Sequence, residues 1–140
     1  MRYEFTGTED GLVNVVLVDD LPLMRYALED SLGSRPPRGA PQDGPSTYWL
    51  DDALRRLQAR MDDKELQPFA SGNVTYLQLR GGHVEARYDI DPEDSASVDR
   101  VPVEAFVELL TMWRQAVLDA SPDADRRLPP ARPVWTMPPA

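Results

Sequence analysis

Five carboxylates fall between Asp89 and Asp99, at Asp89, Asp91, Glu93, Asp94 and Asp99, and they are the densest group in the chain that could do chemistry. Alternating hard oxygen ligands at Asp89, Asp91 and Glu93 is how a calcium loop begins. The sixth position, where the sharp turn demands glycine, is instead Asp94, and the twelfth, which needs a bidentate carboxylate, is Arg100. The segment therefore reads as a solvated acidic loop. His83 is the only histidine and falls at the tip of an expected hairpin, where a nucleophilic triad has nothing to order it. Ser71 and Ser95 offer hydroxyls, but neither sits in a Gly-x-Ser-x-Gly elbow. The doublets Asp19-Asp20, Glu29-Asp30, Asp51-Asp52 and Asp62-Asp63 suit helix caps and wet helix faces better than acid–base pairs. Cysteine is absent, so disulfides, thiolate zinc sites and a cysteine nucleophile are excluded. No catalytic residue, metal or cofactor is expected.

The elements that must position these groups are clearest in the middle of the chain. A two-residue Gly81-Gly82 turn pairs Leu79 with Val84, Leu77 with Ala86 and Thr75 with Tyr88, which makes a buried face. The same register sets Gln78 opposite Glu85 and Tyr76 opposite Arg87 on the other face. If nothing covers that face, Tyr76 and Arg87 present an aromatic ring and a guanidinium beside the acidic loop, a composition found in interface centres. Pro102 then starts a helix, and Val103, Phe106, Val107, Leu110, Trp113 and Val117 give it a broad apolar face that anchors the core.

Toward the N-terminus, Arg2 to Thr6 alternates as a strand, and Leu12 to Val18 is apolar on both faces, as a buried central strand is. Asp19 or Asp20 is placed to cap a following helix with Pro22 in its first turn and Leu21, Met24, Leu28 and Leu32 at helical spacing until Gly33. The run Val15 to Arg25 resembles the first strand and acid pair of response-regulator receiver domains. That family also needs a phosphoaccepting Asp after a later strand and a distant lysine. Here the only lysine, Lys64, falls inside an expected helix, and no apolar strand precedes Asp43 or Asp51. A strand followed by a capped helix accounts for the run.

Ser34 to Pro45 is a proline-rich loop, expected to be the most mobile segment. A second helix runs from near Ser46 or Thr47 to about Leu66, with Leu50, Leu54, Leu57 and Met61 as its stripe. After Ser121 the composition turns to proline, arginine and small residues. The expected organisation is one α+β domain over 1–120, an antiparallel sheet of about four strands with three helices packed mainly on one face. Residues 121–140 form a tail that packs on the domain, through Val134 and Trp135, or on a neighbour.

The chain has 140 residues and a formal charge of −9, with 41% apolar and 28% charged residues, which suits one globular domain. Such acidity disfavours direct contact with nucleic-acid phosphates and favours basic partners. No apolar run approaches the length of a membrane span, Glu9 and Asp10 stand where a signal peptide carries basic residues, and a cytoplasmic location is expected.

Asn73-x-Thr75-Tyr76-Leu77-x-Leu79, Gly81-Gly82, Tyr88-Asp89, the acidic loop, Val101-Pro102-Val103 and Phe106-x-x-Leu109-Leu110-x-x-Trp113 form a pattern similar to that of immunity proteins in bacterial contact-dependent and polymorphic toxin systems. It covers residues 73–117. The resemblance implies a small non-catalytic inhibitor that binds and neutralises a cognate toxin domain, often a basic nuclease. On that reading Asp89, Asp91, Glu93 and Asp94 supply electrostatic contacts, with Tyr76 and Arg87 as anchors. The alternative class is a regulatory or scaffold domain acting on host machinery.

Overall fold

In a computed structural model the chain is described over residues 1–90 and 97–130. The order is β1 (Tyr3–Gly7), β2 (Val13–Leu17), α1 (Pro22–Ser31), α2 (Tyr48–Asp63), β3 (Pro68–Ser71), β4 (Thr75–Arg80), β5 (His83–Tyr88), β6 (Val98–Pro102) and α3 (Val103–Ala120), then a single 3-10 turn at Ala124–Arg126. The fold is α+β. A four-stranded antiparallel sheet in the order β3-β4-β5-β6 packs against the helices, and β1 and β2 form a separate two-stranded ribbon.

The β4–β5 hairpin has the expected register throughout, from Thr75↔Tyr88 to Arg80↔His83. Its turn is tight because Gly81 adopts φ +60°, a region closed to most side chains. Thr75, Leu77, Val84 and Ala86 are buried on the helix side. Trp113 is fully buried, as expected of the anchoring helix, and its indole N–H donates to the Val13 carbonyl at 2.8 Å, tying α3 to the ribbon. Phe106 of α3 meets Phe69 of β3 edge to face, with ring centroids 5.7 Å apart.

Several expectations need correction. β2 is not a central strand buried on both faces: Val16 and Val18 are 39% and 47% exposed, because β2 pairs only with β1. Neither Asp19 nor Asp20 caps α1. The Asp19 carboxylate accepts the Arg2 backbone N–H, and the Met24 N–H of α1 goes to Asp99 on β6. The buried stripe of α2 is Leu50, Ala53 and Leu57, and Met61 is exposed, at the last turn of the helix. β6 takes up Val98 and Asp99 from the end of the expected acidic loop.

The proline-rich segment after Gly33 is tied down. Ser34 Oγ accepts the Val13 N–H, the Ser34 carbonyl accepts the Ser46 N–H at 2.7 Å, and Arg127 donates to Asp43 and to the Pro45 carbonyl. The start of the expected tail thus packs on the domain: Ala124 is buried and the Ser46 hydroxyl donates to the Arg127 carbonyl. Val134 and Trp135 lie outside the described residues.

Candidate functional site

Antiparallel pairing across β4, β5 and β6 lays the outer face of the sheet out in rows. Tyr76, Arg87 and Val98 form one row, Gln78, Glu85 and Arg100 the next, and Arg80, His83 and Pro102 the last. Glu85 is therefore central, and four of its neighbours donate to it. Its Oε1 accepts from Gln78 Nε2 at 3.0 Å, Arg80 Nε at 3.0 Å and Arg87 Nε at 3.2 Å, and its Oε2 accepts from Arg100 Nε at 2.7 Å.

Glu85 is fully buried and Arg87 nearly so, whereas the Arg80 and Arg100 side chains are 42% and 51% exposed. Burial alone would push the Glu85 carboxyl up. Donation from Arg100, Gln78, Arg87 and Arg80 outweighs it and holds the pKa at about 2. Three guanidinium groups on one carboxylate make this face locally basic on an acidic chain.

Of the residues singled out from the sequence, Tyr76 is half-buried in the row beside Arg87. Arg87 is not an exposed anchor: it is buried and bonded to Glu85, because the outer face holds an ion cluster where open water was expected. Asp89 is exposed just past β5, its N–H donating to the Val74 carbonyl at 2.9 Å. Asp91, Glu93 and Asp94 lie outside the described residues.

The open end of the hairpin carries apolar surface next to Asp89. Ile90 is 84% exposed, Val74 is partly exposed, and the exposed Tyr26 ring of α1 lies 6.3 Å from that of Tyr88. The turn beneath is built by Asp30, whose carboxylate accepts the N–H groups of Asn73, Val74 and Thr75 and the Thr75 hydroxyl. Desolvation raises the Asp30 pKa, but these bonds outweigh it and the net shift is downward. Gly72 is obligatory there, since a Cβ would lie 2.2 Å from the Asp30 carbonyl oxygen.

A cleft of about 910 Å3 opens beside this turn, lined by Asp10, Arg35, Arg38 and Trp49 among others. Two of its three carboxylates are engaged, Asp10 with Thr8 and Arg35 and Asp30 with the turn; the third is Glu29. Ser71 lines it at the Tyr76 end of β4, whereas His83 pairs with Arg80 at the other end, so the two do not meet.

Glu85 as a hub, with Arg80 and Arg100 around it, was missed from the sequence. The Gln78–Glu85 pairing was the available signal; without β6 it had no third column. Among the described residues no helix is long and apolar enough to cross a membrane. Comparison with protein-family models, curated proteins and solved structures gives no significant match.

Proposed function

We propose that this chain is a non-catalytic immunity protein that neutralises a cognate bacterial toxin domain by occupying it. The observation that carries the reading is the open end of the β4–β5 hairpin, where Asp89 and the 84% exposed Ile90 stand beside Val74 and Tyr26. Apolar side chains next to carboxylates suit a partner with a basic, partly apolar surface. The charge of −9 works in the same direction, because it steers the chain toward a basic cleft such as that of a nuclease.

The roles follow from position. Asp89, with Asp91, Glu93 and Asp94 in the segment after it, supplies the steering charge, and Ile90 and Tyr26 supply area that dries on contact. Tyr76 borders the contact. Arg87 acts as a positioning residue, since its guanidinium is bonded to Glu85 and helps hold β5, the strand that leads into Asp89.

The test is co-expression with the product of the adjacent gene. That product expressed alone should arrest growth, this chain should restore it, and the two should copurify one to one. A harmless neighbour that does not bind sinks the proposal.

A further inference from the structure

We infer that the free edge of β1 is a self-pairing surface, through which two copies of this chain join their ribbons into one continuous four-stranded sheet. The phase of the β1–β2 hydrogen bonds leads to this. The Val18 N–H donates to the Arg2 carbonyl and the Thr8 N–H to the Leu12 carbonyl, each at 2.9 Å, so the bonded pairs in this register fall on the even-numbered residues of β1. The N–H and C=O groups of Tyr3, Phe5 and Gly7 then point away from β2. Among the described residues nothing meets them.

At both ends of β2 outward groups are met by the domain itself, and Val15 between them is buried. Val13 N–H donates to Ser34 Oγ, the Val13 carbonyl accepts from the Trp113 indole, and the Leu17 carbonyl accepts from Arg25 Nη2. The edges of the larger sheet are blunted: β3 opens with Pro68 and has a register shift, and β6 ends at Pro102. β1 has no proline, lysine or bulge. It is the edge left open.

The occupant the geometry favours is a second β1. A two-fold axis through Phe5 aligns Phe5 with its copy and Tyr3 with Gly7 of the other chain, and each such pair exchanges N–H···O bonds using the groups that lack partners. Tyr3 and Phe5 share a face, their rings edge to face with centroids 5.5 Å apart. Gly7 has nothing within 4 Å of where a Cβ would sit, which leaves room for the Tyr3 ring of the other copy. On the opposite face Glu4 meets Thr6 of the other copy rather than its own twin, so like charges are not opposed. A five-residue ribbon contact falls short of the roughly 1,200 Å2 of a stable interface, so the dimer belongs to high concentration.

Analytical ultracentrifugation of the full chain over a wide concentration range is the test, with amide exchange alongside. The 15.8 kDa species should shift toward twice that mass as concentration rises, with new protection at the Tyr3, Phe5 and Gly7 amides. Thr6 is exposed, and Thr6→Lys should tighten association ~3- to 10-fold by facing Glu4 twice per dimer, while Thr6→Glu weakens it comparably. Gln58→Lys, which makes the same change of charge on the exposed side of α2, should leave it unchanged. Gly7→Pro removes one outward N–H at an edge position that tolerates proline, and should abolish the dimer with unfolding unaltered. A monomer at every concentration, or a dimer indifferent to both Thr6 changes, overturns the inference. Pairing of this edge with a strand of another protein would show as that monomer result.

Discussion

The Asp99 carboxylate on β6 accepts the Met24 backbone N–H at 2.9 Å, so α1 is capped by a residue seventy-five positions further along the chain. Asp99→Ala removes an N-cap acceptor and should cost about 0.5–2 kcal/mol. Urea unfolding of the two proteins measures it. An unchanged midpoint would show that water replaces the carboxylate without loss.

Glu85 makes stability fall in acid. Its carboxyl has a lower pKa folded, about 2, than its ordinary 4.5, so the unfolded chain binds the proton more readily. The stabilisation is complete above about pH 4.5 and disappears as pH falls through about 2. Glu85→Ala leaves Arg87 buried without this partner and should cost about 3–5 kcal/mol at neutral pH, while flattening the acid limb of the stability curve. Thermal melts from pH 7 to 2 read both effects.

Trp113→Ala should cost about 3–5 kcal/mol, since it empties the core and strands the Val13 carbonyl. Trp49→Ala, at an exposed ring, should cost far less. Equal effects would mean that the indole does not anchor the core.

Gly72→Ala forces a Cβ onto Asp30 and should destabilise by about 1–3 kcal/mol. Gly7→Ala, in open space, should stay within about 0.5 kcal/mol of the parent. Chemical denaturation separates the two glycines.

On the proposed function, Asp91, Glu93 and Asp94 changed together to Asn or Gln should slow association with the proposed toxin partner and flatten its salt dependence, with folding unaltered. Stopped-flow binding at several ionic strengths measures this. Identical on-rates would remove the acidic segment from the contact.

Local rules carried the hairpin. Gly81-Gly82 and the alternation from Thr75 to Tyr88 set turn and register within fourteen residues, and both stand in the structure. α3 was equally plain, because Phe106, Leu110, Trp113 and Val117 recur on one face. The strands β3 and β6 were not legible. Pro68–Ser71 is too short to show a period, and Val98–Pro102 mixes charge with a proline, so each is a strand only because the hairpin offers it an edge. The capping of α1 was misread for the same reason: Asp19 and Asp20 were near in sequence, but Asp99 was near in space. At the candidate site Asp89 was placed on the surface as expected. The burial of Arg87 depended on a third column of the sheet that no local pattern announces.

Helix α1 is tied to the larger sheet at both ends by carboxylates, by Asp99 of β6 at its start and by its own Asp30 just before its finish. During synthesis residues 22–31 leave the ribosome well before residue 99 exists, so the helix must wait, uncapped and with its apolar stripe bare, for a strand made later. Such long-range closure slows maturation and leaves a nascent chain that invites chaperones. Truncated products ending before β6 should therefore be cleared by proteases, whereas those that reach α3 persist.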